Sequence, residues 1–335
     1  MLVPFVIDKD AFKPDPDWTS AQQRACYNGL LSIWERIGLL SHDGDSFSGS
    51  QLQNVIQSLP PSVRPQWQEM LERAPLLSAP RWDGRVANTN LMSFADTAKL
   101  AFVDDEYAEV EFGFNVNCDE ALCGGEGVDV AVCRILAAGQ AKAFRDAITI
   151  TGAHVEAGDS YQTIWDTRFD MLARAPIKRI SIVDRYGVGQ HMAHPQSDLS
   201  GLERFLRLLN AAATGSRHLK LYSGWTAELS GVNRKTIDDI CQEIDQVLRR
   251  LPNRKISRVK VYMVPNTIFR DGAHDRFIRF EDYVWDIGLG LEILDGAYAA
   301  KRSSASFKTG LAVAGYKRVE QDLAANADAG VREIR

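Results

Sequence analysis

Residues 274–290 read HDRFIRFEDYVWDIGLG, and the reading of this stretch decides the fold of the second half of the chain. Residues 276–280 are expected to form a strand, and alternation along that strand puts His274 and Arg276 on one face. Glu281 and Asp282 follow it. Ile287-Gly288-Leu289-Gly290 then reads as a turn. The plainest account of His274-Asp275-Arg276 is a polar cluster at a strand edge, with Arg276 paired to Glu281 or Asp282.

Working outward, residues 259–264 (VKVYMV), 218–222 (HLKLY) and 177–183 (IKRISIV) are further strands. Between them lie two helices. One opens with a capping box at Ser200 and Glu203 and turns Leu202, Phe205, Leu206 and Leu209 inward. The other carries the apolar stripe Ile237, Ile240, Cys241, Ile244, Val247, Leu248 and Leu251. Strand–helix–strand–helix–strand–strand argues for an α/β architecture with a partly parallel sheet. The expected division is an N-terminal α/β domain over 1–150, a linker over 151–176 around Trp165 and Phe169, the α/β domain over 177–312, and a C-terminal tail over 313–335.

The first half is less patterned. Val3-Pro4-Phe5-Val6-Ile7 reads as a buried strand rather than as part of a signal peptide, because no basic segment precedes it and Asp8 and Asp10 interrupt it. A helix is expected over 21–40, short helices joined by proline turns over 60–85, strands at 99–103, 109–114 and 128–136, and a helix at 140–148. Asp8 at a strand end, with Asp104, Asp105, Glu109, Glu111 and Asp129, could surround Mg²⁺ as in PIN-like nucleases. Carboxylates capping strand ends in water are the commoner case, and a domain that docks a partner or guides substrate is the expectation. Gly124-Gly125-Glu126-Gly127 lacks the Lys-Ser/Thr that would make it a phosphate loop.

Composition narrows the classes. The chain has 335 residues, 45% hydrophobic and 25% charged, which suits two globular domains. No run approaches the roughly 20 apolar residues of a membrane helix, and a cytoplasmic location is expected. Five scattered cysteines, Cys26, Cys118, Cys123, Cys133 and Cys241, describe neither a disulfide framework nor a zinc site, so no metal or other cofactor is expected. The net charge of −5 hides an asymmetry. Residues 1–130 hold nine Lys or Arg against twenty Asp or Glu, whereas residues 249–280 hold nine against two. The basic stretch either binds a polyanion or docks on the acidic half, in the same chain or another copy.

The quoted stretch also resembles the phospholipase D superfamily element, His-x-Lys with an Asp five residues after the Lys and a glycine seven further on. Those offsets fall on His274, Arg276, Glu281 and Gly288. Lys has become Arg, Asp has become Glu, and Gly288-Leu289-Gly290-Leu291 stands where the family has Gly-Ser-x-Asn. The segment from Ile177 to about Gly310 is similar to the phospholipase D-like C-terminal domain of MIT-domain proteins, and to prokaryotic proteins of which some occur with defence against mobile elements.

The resemblance implies a phospholipase D-like half-domain with a mixed sheet flanked by helices, beside a separate mixed α/β N-terminal domain. It implies metal-independent phosphodiester chemistry on nucleic acid, in which a histidine attacks phosphorus and a second protonates the leaving oxygen. His274 is then the nucleophile or a phosphate ligand, Arg276 clamps phosphate, and Glu281 orients His274. Arg279, Gly288, Gly290, His191 and His194 are the substrate-binding candidates. One element supplies one histidine, so activity implies a homodimer or a substitute such as His191, His194 or His218. MIT-type relatives imply the other outcome, a non-catalytic module recognising acidic lipid, nucleic acid or an additional protein subunit.

Overall fold

In a computed structural model the described residues are 2–8, 10–12, 18–44, 46–79, 97–103, 121–122, 130–194, 198–225, 236–270, 276–327 and 330–335. They form an α/β protein with two sheets flanked by helices. The chain divides into two compact units, Leu2–Thr149 and Ile150–Arg335.

In the first unit, β1 (Val3–Ile7), β2 (Gly38–Asp43), β3 (Leu77–Ala79), β4 (Leu100–Val103), β5 (Ala121–Leu122) and β6 (Ala131–Arg134) make a sheet of order β3-β2-β1-β4-β6-β5. All neighbours are parallel except β5 and β6. The first helix, α1 (Ser20–Ile37), starts at Thr19, whose hydroxyl accepts from the Gln22 amide while the Gln22 side chain accepts from that of Thr19. That capping box satisfies two amides that a helix start leaves open.

The helix stops three residues before the expected end because the chain turns into β2 at Gly38. A Cβ at Gly38 would lie 2.6 Å from the Trp34 backbone, so only glycine lets strand and helix meet there. Helices α2 (Gln51–Ser58), α3 (Arg64–Arg73) and α4 (Lys142–Gly152) follow. Phe5 at the centre packs edge-on against Trp34, Phe102 and Phe144. Asp8 is fully buried at the end of β1. The carboxylates expected beside it at 104, 105, 109, 111 and 129, the strand at 109–114, the glycine-rich turn, Cys118 and Cys123 lie outside the described residues.

The second unit holds α5 (Tyr161–Arg168), α6 (Asp170–Arg174), β7 (Arg179–Asp184), α7 (Gly187–Ala193), α8 (Gly201–Ala212), β8 (Arg217–Trp225), α9 (Ile237–Arg249), β9 (Ile256–Pro265), α10 (Asn266–Arg270), β10 (Arg276–Phe280), β11 (Tyr283–Ile287), β12 (Ala305–Thr309), α11 (Val313–Ala325) and β13 (Gly330–Ile334). The sheet order is β12-β11-β10-β7-β8-β9-β13. Strands β7, β8 and β9 are parallel, as the strand–helix alternation requires, and the outer strands run antiparallel to their neighbours.

Two boundaries differ from expectation. The expected linker over 151–176 contains α5 and α6, whose Ile164, Trp165, Phe169 and Leu172 are buried. Phe169 meets Phe205, Phe280 and Trp285, so polar loop composition conceals a wall of the core. The expected tail over 313–335 is α11, which buries Val313, Tyr316 and Leu323, followed by β13 paired with β9. Helices α5, α6 and α8 thus meet one face of the sheet. Helix α11, with Phe269, covers part of the other.

Among the described residues no helix is long and apolar enough to cross a membrane. Among them, too, no group of three or more His, Cys, Asp or Glu is arranged to hold a metal ion. Cys26, Cys133 and Cys241 are thiols outside any disulfide.

Candidate functional site

Arg276 and Arg279, two of the residues singled out in the sequence, are carried by β10, whose register on β7 fixes where each points. Arg276 lies opposite Asp184 at the carboxyl end of β7, and Phe280 lies opposite Ile180 near its start. Asp184 is 1% exposed and accepts hydrogen bonds from the amides of Leu291 (2.7 Å) and Tyr186 (3.0 Å). Burial pushes its carboxyl up to about 6, opposed by those backbone donors and by the nearby Arg276 guanidinium.

Gly290 has φ +59°, and a Cβ there would fall 2.2 Å from Asp184 Oδ2 and 3.1 Å from Arg276 Cδ. The glycine is needed twice, for its conformation and for this approach. Gly288 serves the same turn. Its amide donates to Ser304, and a Cβ would lie 2.5 Å from the Ser304 hydroxyl.

Arg276 is half-buried, its guanidinium 5.3 Å from the Tyr186 ring centre. Arg185 approaches the same ring at 5.1 Å and is braced by Asn266. Two guanidiniums therefore share one aromatic ring at the carboxyl end of β7. His274, the expected nucleophile, lies outside the described residues.

Glu281 does not stand beside Arg276. It occupies the β10–β11 turn with φ 49°, five residues along, about 16 Å away at strand rise. There its carboxylate accepts from the amides of Lys178 (3.2 Å) and Arg179 (3.3 Å). The expected pairing of Arg276 with Glu281 or Asp282 fails for the same reason, and Asp282 instead pairs with Lys317. A spacing of five that looks local in sequence is the full length of an extended strand.

Arg279 points to the opposite face from Arg276, since the two differ by an odd number of strand positions. Its guanidinium meets Glu320 at 2.5 Å, Ser181 at 3.2 Å and the Glu281 carbonyl at 2.6 Å. Arg279 and Glu320 keep only 12% and 5% side-chain exposure. It is a buried pair tying α11 to the sheet.

His191 and His194 line a polar hollow of about 380 Å³ between α7, α8 and α9. His191 Nδ1 lies 2.7 Å from the Ser200 hydroxyl, which caps α8 by accepting from the Glu203 amide. Burial holds the His191 ring below its ordinary value, favouring the neutral imidazole.

The structure brings Arg276 and Gly290 together with Gly288 in the adjoining turn, and separates Arg279 and Glu281 from them. Asp184, Arg185 and Tyr186 were not assigned from sequence, although an Asp at the end of a strand followed by Tyr-Gly marks the loop that carries them. No family model matches the chain, and no curated protein matches it.

Proposed function

We propose that the second unit is a phospholipase D-like module that recognises nucleic-acid phosphate at the Arg185–Tyr186–Arg276 edge without cleaving it. The supporting observation is the division of the signature along β10, with Arg276 against Asp184 and Tyr186 at one end and Glu281 at the other. Phosphoryl transfer through a histidine needs the nucleophile, the phosphate clamp and the orienting carboxylate around one phosphorus atom. Glu281 is engaged with two backbone amides a strand's length away. The paired arginines retain what recognition needs, planar donors suited to phosphate oxygens. A setting in defence against mobile elements follows from the resemblance alone.

The second reading is metal-independent phosphodiesterase activity by His274 in a homodimer. It is favoured by Arg276 being half-buried rather than sealed at the strand end nearest position 274. Oligonucleotide binding and cleavage, measured in EDTA on wild type, His274→Ala and Arg276→Ala, separate the two. Recognition expects salt-sensitive binding, weakened about tenfold by Arg276→Ala, and no cleavage. Cleavage abolished by His274→Ala overturns recognition in favour of catalysis. Binding indifferent to Arg276→Ala overturns the proposed edge.

A further inference from the structure

The face of the seven-stranded sheet that α11 covers is left open toward the starts of the parallel strands, and that opening is basic. In register across β7, β8 and β9 stand Arg179, His218 and Arg258. One step along the same face, Lys220 stands opposite Lys260. Like charges directly opposed on neighbouring strands destabilise a sheet.

The rim cations have carboxylate partners: Arg179 with Glu281, Arg258 with Glu333, and Lys317 with Asp282. No ion pair to a carboxylate is formed by His218, Lys220 or Lys260 at the centre, among the described residues. They line a cleft of about 660 Å³, walled on one side by α11. Its lining holds six Lys or Arg against three Asp or Glu.

The geometry points to a binding site for a compact ligand carrying two or more phosphoryl groups, held by Lys220, Lys260 and His218. The volume is that of a small-molecule pocket. Lysines are mobile point charges that converge on phosphate oxygens from adjacent strands. Tyr222 and Tyr262 stack at 4.5 Å beneath the cleft but are 1% and 6% exposed, so they offer no ring face on which nucleic-acid bases could stack. That argues for a small polyphosphate rather than a single strand. The cleft lies on the other face of the sheet from Arg276, so the inference does not depend on the phospholipase D-like reading.

The test is titration calorimetry of the full chain with inorganic tripolyphosphate. Wild type, Lys220→Gln/Lys260→Gln and Arg276→Ala are compared, with orthophosphate, a mixed-sequence single-stranded oligonucleotide and phosphatidylserine vesicles as competing ligands. The expected result is a tripolyphosphate site, retained in Arg276→Ala, at which orthophosphate binds at least about tenfold more weakly. The double substitution should weaken tripolyphosphate by about tenfold or more, and Arg276→Ala should leave it unchanged.

Without ligand, the double variant should melt at or above the wild-type temperature, because it removes the opposed lysines. Absence of tripolyphosphate binding overturns the inference, as does binding indifferent to the double substitution. Tighter binding of the oligonucleotide or the vesicles through Lys220 and Lys260 also overturns it, moving the cleft to another ligand class. A double variant that melts well below wild type overturns the premise that the two lysines oppose each other.

Discussion

Arg276 and Arg279 lie three residues apart in β10, and they live in different environments. Arg279 is enclosed, with Glu320, Ser181 and a carbonyl consuming its donors, and it fastens the final helix to the sheet. Arg276 is half-buried at the strand end, near a carboxylate that backbone amides already hold, with a tyrosine ring under its guanidinium. The first arginine is bound into the fold at the α11 face, whereas the second stacks on a tyrosine ring on the opposite face. Parity along the strand produces the difference, because an odd step changes the face. Depth under α11 completes it.

The comparison breaks first at Glu320. Glu320→Ala should cost about 3–5 kcal/mol in denaturant unfolding by leaving the enclosed Arg279 charge unpaired, and Arg276→Ala should cost less than half as much. Equal losses would mean that both arginines are structural. The combined replacement Arg279→Met/Glu320→Leu should recover most of the loss, since a buried pair is replaceable by apolar side chains of similar size.

Next is the turn that closes on Asp184. Gly290→Ala should cost about 2–4 kcal/mol through left-handed strain and the clash with the carboxylate. Gly296→Ala, at φ +65° with nothing near its Cβ, should cost only about 1 kcal/mol. Similar penalties at the two sites, read from unfolding midpoints, would show that the approach to Asp184 does not matter.

The protonation of Asp184 sharpens the Arg276 end further. Burial raises its folded carboxyl from the ordinary 3.8 to about 6, so between those values the folded state binds more protons than the unfolded one. Stability from this group is therefore highest below the lower value and falls as pH rises to about 6, by roughly 3 kcal/mol. Subtracting the pH–stability profile of Asp184→Asn from that of wild type should show this fall. A difference flat across that interval would remove Asp184 as its source. His191 runs the other way, since its lowered folded value makes stability rise with pH up to its ordinary value.

The smallest effect is expected at Glu281. Glu281→Gln keeps an oxygen for the Lys178 and Arg179 amides and should change stability by no more than about 0.5 kcal/mol. It should leave oligonucleotide binding untouched. Weakened binding in this variant would mean that the two ends of β10 act together after all.

Much of the second unit was legible in the sequence. The stripe from Ile237 to Leu248 and the Ser200 cap formed the helices expected of them, because local periodicity and capping are decided within a few residues. Glu203, however, pairs with Arg207 instead of closing the box. The apolar alternation of residues 177–183 and 259–264 likewise marked central strands. The segments 161–174 and 313–334 were misread because their apolar residues are sparse and gain their partners from distant strands. Glu320, 41 residues from Arg279, left no local signal at all.

By itself, the sequence determined an α/β second unit with a partly parallel sheet, and an acidic first half with a basic segment later in the chain. Only the tertiary structure decided that Arg276 and Glu281 stand at opposite ends of β10 and that Arg279 belongs to Glu320. It alone gathered Lys220, Lys260 and His218 into one cleft. The reason is physical: sequence spacing reports faces and periods within an element, while registry between strands brings together residues a hundred positions apart.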